Sequence, residues 1–393
     1  MAGTDRPRRI QKPQPAAAGA GPAQAPVPAV ESGPAFRLGY CGGLDGLRSV
    51  AVMAVVLYHA RMLPQPFGNI GVQMFFALSG FLITSLLVEE HERFGRIRLG
   101  RFYLRRVLRL FPALVVMLLA FVAYRWLTSP RAAALAATRQ ALTALFYWTN
   151  WACTAGPLRS YSLGHTWSLG IEEQFYLIWP PLLIWLLGHT RSRASMLNWM
   201  LLGCYAAAIN RWLLFARWPD PWRIDFGTDT QADSLLWGCA AAIALESGLL
   251  PRGRKAQAAL AWAAVASLAG LIYLGSAKPW KYGLTACVGY PLISFLCMLM
   301  VLGLVAAPAG PLAQVLSHPI PSYIGKISYG IYLWHVPVFL ETQSHEWPLA
   351  KVLAVEFGLA AAAVLASYYF LERPLLRLKA RLRDWAPARG RLG

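Results

Sequence analysis

Arg48 and His59 are the residue pair in this sequence best placed to do chemistry. They bracket an apolar run, Arg48-SVAVMAVVLY-His59. Eleven residues at 100° each return to within about 20° of the starting direction, so both side chains share one helix face. At 1.5 Å per residue they stand roughly 16 Å apart, about half the hydrocarbon thickness of a bilayer. The guanidinium is a fixed cation, whereas the imidazole takes up and releases protons near neutral pH. An ionisable side chain inside a membrane is costly and marks a functional site. A neutral imidazole satisfied by a neighbouring helix is the plainer reading of His59; the face shared with Arg48 favours proton transfer.

Other groups extend this picture. In RFYLRRVLRLFP, Arg106 and Arg109 are i, i+3 neighbours whose planar forks suit phosphate oxygens, and a topogenic cluster is the competing reading. Arg101 and Arg105 fit the topogenic role better. In HTWSLGIEEQFYLIWP, Glu172 and Glu173 fall where a loop enters a span, with Ser168 as a candidate N-cap. A carboxylate there either caps the helix or orients His59. Ser328, Tyr332 and His335 form an i, i+4, i+7 polar stripe, read as lining a cavity. Ser79-Gly80 in GVQMFFALSGFLIT allows close helix approach and lacks a nucleophile-elbow context. Asp45, Asp233, Glu372 and Arg373 are expected in structural polar roles, and Glu356 likewise.

The elements that hold these groups follow from composition. The chain has 393 residues, 57% hydrophobic and 14% charged, where a soluble globule carries about a quarter charged. The apolar residues come in long blocks, so the fold class is all-α: a polytopic integral membrane protein of about ten transmembrane helices. The spans are expected at 45–64, 68–88, 107–127, 170–188, 195–216, 230–249, 257–276, 284–307, 323–343 and 350–371. The net charge of +19 sits in connectors between apolar blocks, which argues for the positive-inside pattern and against nucleic acid. With both termini cytoplasmic, roughly two dozen Lys and Arg face inward against about ten outward. The segment 128–168 then lies outside, with 135–151 as an interfacial or re-entrant helix and Trp148 and Trp151 at the interface. Six scattered cysteines show no metal-type spacing. Residues 1–39 form a Pro- and Ala-rich basic tail that cannot bury a core and shows no cleavable signal peptide. The membrane domain is expected over 40–376, followed by a basic cytoplasmic tail over 377–393.

Seven motifs in order resemble the membrane acyltransferase-3 family, which includes bacterial envelope O-acetylases: LDGLRSVAVMAVVLYHA, GVQMFFALSGFLIT, FYLRRVLRLFPAL, TWSLGIEEQFYLIWP, ADSLLWGC, ISYGIYLWHVPV and YYFLERP. The resemblance implies a cell-membrane O-acyltransferase with no permanently bound cofactor or metal. Cytoplasmic acyl-CoA, chiefly acetyl-CoA, would be the donor, and a hydroxyl of an envelope glycan or small molecule the acceptor. It implies donor binding by Arg48, Arg106 and Arg109, and general-base catalysis by His59 with Glu172 or Glu173. Ser79, Trp167, Ser168, Tyr332 and His335 would line the acceptor side or cavity. Gln231-Ala232-Asp233 departs from the family's R-x-D form. No esterase-like domain follows the last expected span, so the membrane part or a separate partner would complete transfer. A transporter or flippase of a glycolipid or polyprenyl-linked sugar is the alternative. It predicts movement without acyl-CoA consumption, and the paired broken helices common in transporters have no counterpart in this sequence.

Overall fold

Apolar runs of this length satisfy their backbone in lipid only by closing it into helices. The computed structural model follows that rule over the residues it describes, 39–155, 162–250, 253–277, 282–342 and 347–375. Among them no strand occurs. The helices are α1 (Gly42–His59), α2 (Gln65–Phe94), α3 (Leu99–Thr128), α4 (Arg131–Leu145), α5 (Thr149–Thr154), α6 (Trp167–His189), α7 (Arg193–Arg217), α8 (Pro221–Phe226), α9 (Thr228–Glu246) and α10 (Arg254–Ser276). Then come α11 (Tyr282–Leu284), α12 (Tyr290–Ala306), α13 (Pro311–Leu316), α14 (Pro319–Lys326), α15 (Ser328–Thr342) and α16 (Leu349–Ser367). The expected tails over 1–39 and 377–393 lie outside the described residues, apart from Gly39.

Among the described residues, six helical stretches are long and apolar enough to cross a membrane: α2, α3, α7, α10, the run Tyr282–Ala306 and the run Leu349–Leu375. Several expected boundaries change. The third span starts at Leu99 rather than 107, which puts Arg106 and Arg109 inside α3 instead of at its end. The expected span 323–343 is broken between α14 and α15. Just before the break Gly325 packs on α1, so close to the backbone carbonyl of Asp45 that a Cβ there would collide with it. The expected helix 135–151 is two pieces, α4 and α5, joined through Tyr147 at a left-handed φ of 55°. Trp148 is exposed at this turn, while Trp151 points inward and donates from Nε1 to Gln174 Oε1 at 3.2 Å.

α2 is the central post, with 78% of its apolar stretch buried, against 11% for the stretch that contains α16. It crosses α9 at Gly80 and Gly238. A Cβ on Gly80 would overlap the Leu235 carbonyl, and one on Gly238 the Ala77 carbonyl. This is small-residue packing, which lets backbones approach where the hydrophobic effect supplies no drive. Gly238→Leu is therefore expected to destabilise the bundle by about 1–3 kcal/mol, the usual range for overpacking. Unfolding titrations in mixed micelles would read this, and unchanged stability would remove the crossing from the account.

Candidate active site

α6 carries the acidic pair between two neighbours. Ser79 Oγ of α2 donates to Glu172 Oε1 at 2.7 Å. On the other side Arg106 of α3 pairs with Glu173 at 3.6 Å, and its guanidinium stacks 3.2 Å from the Tyr176 ring centroid. Adjacent helical residues diverge by about 100°, and the wedge position of α6 gives each carboxylate its own partner. Arg109 joins the group: its electrostatic neighbours are Arg48, Arg106, Tyr176 and Asp45. Arg48 itself pairs with Asp45 at 3.3 Å. Three guanidinium groups from α1 and α3 thus converge, and the residue of the three that stays exposed is Arg109. A cation held beside other cations favours an anionic ligand. Arg105 is separate, paired with Glu90 at 3.3 Å.

A second cluster sits near the far end of α1. His59 Nδ1 lies 2.9 Å from the Val55 carbonyl, and His335 Nδ1 lies 2.8 Å from the Tyr332 carbonyl. A carbonyl accepts only, so both rings carry the proton on Nδ1 in this hydrogen-bond assignment. His335 Nε2 then faces His59 Nδ1 at 3.3 Å as the acceptor, and the lone pair of a neutral His59 resides on Nε2. Such a ring is a base with a fixed orientation. Tyr332 OH donates to the His165 carbonyl at 2.6 Å. Its single proton is thereby used, so Ser168 Oγ donates to the Tyr332 oxygen, also at 2.6 Å. The His165 ring packs 5.5 Å from His335 and 5.7 Å from Tyr332, centroid to centroid.

α15 links the clusters. Tyr329 OH donates to the Leu110 carbonyl of α3 at 2.8 Å, one residue from Arg109. Tyr332 and His335 follow one and two turns later on the same helix. Along α15, Tyr329 and His335 stand about 9 Å apart, six residues at 1.5 Å each, and along α1 Arg48 and His59 stand roughly 16 Å apart.

The expected site residues are sorted by this geometry. Arg48, Arg106, Arg109, Glu172, Glu173 and Ser79 come together at one end. His59, His335, Tyr332 and Ser168 come together at the other. Glu172 and Glu173 go to Ser79 and Arg106, and the ring against His59 is His335, so the expected carboxylate–imidazole pair is replaced by an imidazole pair. Glu173 is held by the Arg106 guanidinium, which attracts a carboxylate more strongly than a neutral ring does, and Glu172 by the Ser79 hydroxyl. Ser168 is not the N-cap of α6, because the helix starts at Trp167 with Thr166 in that position. Trp167 packs between Phe76 and Phe226, with ring centroids at 6.0 and 4.9 Å, and so serves as a wedge. Asp233 accepts from Arg211 of α7 at 2.7 Å, both fully buried, and Arg211 also donates to the Thr230 carbonyl. The guanidinium missing two residues before Asp233 is thus supplied from another helix. Gln231 instead binds Gln73 at 2.6 Å. Glu372 accepts from Ser367 at 3.3 Å, and Arg373 lies over the Tyr369 ring at 5.6 Å. Sequence reasoning missed His165, Tyr329 and Arg211. The signal for Arg211 was present, as an ionisable residue inside an apolar stretch.

Residues 42–372 match a family model described as an acyltransferase domain. Among curated proteins, the chain is 33% identical over 355 residues to the peptidoglycan O-acetyltransferase OatA of Listeria monocytogenes, covering 86% of this chain and 56% of that protein. It is 32% identical over 352 residues to the O-acetyltransferase OatA of Staphylococcus aureus, covering 86% and 57%. The chain thus spans little more than half the length of these relatives. No solved structure matches it.

Proposed function

Because the chain belongs to the acyltransferase-3 family, whose model covers residues 42–372, we propose that it is a membrane O-acetyltransferase acting on a hydroxyl of a cell-envelope glycan. The donor is acetyl-CoA from the cytoplasm. The helices number about ten in the bilayer of the cell membrane, with both termini cytoplasmic, so that the basic connectors face inward.

Arg109, with Arg48 and Arg106 beside it, receives phosphate oxygens of the donor, and the pantetheine arm runs along α15 toward His59. His59 Nε2 takes the proton of the acceptor hydroxyl as its oxygen attacks the thioester carbonyl. The C–O bond forms, the C–S bond breaks, and the thiolate leaves as coenzyme A after taking up a proton. An alcohol is a weak nucleophile until that proton is removed. Glu173 fixes Arg106, and Glu172 fixes Ser79, so both carboxylates act as positioning residues. The O-acetyltransferase relatives support the acetyl group, and the peptidoglycan O-acetyltransferase of Listeria monocytogenes supports the glycan class.

The observation that carries this reading is the convergence of three guanidinium groups from α1 and α3 near one end of α1, and of an imidazole pair from α1 and α15 near the other, with α15 hydrogen-bonded to α3 between them. Mass spectrometry of envelope glycans from cells with and without the gene tests it. Loss of an acetyl-sized increment on deletion is the expected outcome. Identical O-acetylation in both would contradict the assignment of the acceptor class.

A further inference from the structure

A cavity of about 180 Å³ opens beside the far end of α1, lined by Ala60, Arg61, Trp347, Leu353 and Glu356 with Leu349 and Val352. Ala60 directly follows His59, so the cavity begins one residue beyond the base. Leu349, Val352, Leu353 and Glu356 occupy positions i, i+3, i+4 and i+7, one face of the first turns of α16. Glu356 is buried, Trp347 is half-buried, and Arg61 and Leu349 form an exposed rim. A chain of ring contacts runs from the histidine cluster toward this helix: His335 packs on Phe339, and Phe339 on Phe357, the neighbour of Glu356, each at 5.8 Å between centroids. Arg61 holds a left-handed φ of 60°, a conformation that glycine or asparagine adopts with less strain.

Resting on the acetyltransferase reading above, we propose that this cavity binds one pyranose ring of the acceptor glycan and presents its hydroxyl to His59. The chemistry of the lining fits that class. Trp347, Leu349, Val352 and Leu353 offer an apolar wall for the C–H face of a sugar, and Glu356 and Arg61 supply an acceptor and a forked donor for its hydroxyls. The ammonium of Lys351 sits 4.2 Å from the Trp347 ring centroid and holds the indole in place. The size is also selective: clefts for drug-sized ligands are roughly 300–1,000 Å³, so this one takes a single ring rather than a folded oligosaccharide.

The test is equilibrium binding of tritiated chitotetraose and maltotetraose to the full chain in lipid nanodiscs, which avoids sugar-headed detergents. At least one probe is expected to bind saturably. Trp347→Ala and Glu356→Gln are each expected to weaken it about tenfold or more, and Trp347→Phe, which keeps a ring, by no more than about threefold. Failure of the native chain to bind either sugar overturns the proposal, as does unchanged affinity in Trp347→Ala. Acetyl-CoA turnover in the same nanodiscs separates the two readings. Sugar binding that depends on Trp347 without any thioester turnover counts against the acetyltransferase and leaves the cavity as a sugar site.

Discussion

His59→Ala is expected to abolish acyl transfer, a loss of about 10²–10⁴-fold or more, while expression and membrane insertion stay intact. The size follows from the role: without the imidazole nothing in the cluster is aligned to take the hydroxyl proton. His335 does not replace it, because it stands behind the His59 ring, its Nε2 3.3 Å from His59 Nδ1, short of the place of His59 Nε2, and its Nδ1 is committed to backbone carbonyls. Insertion is spared because replacing one half-buried imidazole leaves the α1 contacts at Gly46 and Leu47 unchanged. The measurement is acetyl release from labelled acetyl-CoA by purified variant and parent at equal protein loading. Retained transfer in the variant would take His59 out of the chemistry.

Arg109→Ala is expected to raise the acyl-CoA concentration needed for half-maximal rate by about tenfold or more, with a smaller change in the limiting rate. A hydrogen bond to a charged group is worth about 1.5–3 kcal/mol, and about 1.4 kcal/mol is tenfold. Arg109 is a cleaner probe than Arg106. Removing Arg106 would strand Glu173 and the face of Tyr176, and an unpaired buried charge destabilises the fold. For the same reason Arg106→Lys should not rescue: an ammonium cannot lie flat on Tyr176 and still reach the carboxylate as a fork. Donor dependence that does not move in Arg109→Ala would return the arginines to a purely topogenic role.

Helical periodicity alone made Arg48 and His59 legible as a pair, because one face of one helix is a local property. Ser79-Gly80 was legible for a similar reason, since a glycine in an apolar run signals a close crossing. What periodicity does not carry is the identity of the neighbour. Glu172 and Glu173 were read toward His59, yet α6 wedges between α2 and α3 and hands them to Ser79 and Arg106. His165 stood in full view within a quoted motif, but only the turn before α6 and its contact with Tyr332 bring it to the imidazoles. Just before the split of the expected ninth span, Gly325 packs against Asp45, a residue 280 positions away. No local pattern encodes a contact at that separation. Arg211 replaces an arginine that the family pattern places within α9, a substitution in space rather than in sequence.

The central claim is that guanidinium groups at one end of α1 grip a thioester whose carbonyl is attacked beside His59 at the other. The most direct test is incubation of the purified full chain in nanodiscs with acetyl-CoA. The account predicts saturable binding that Arg109→Ala weakens and His59→Ala preserves, together with turnover that His59→Ala removes. A chain that neither binds nor consumes any coenzyme A thioester would contradict it.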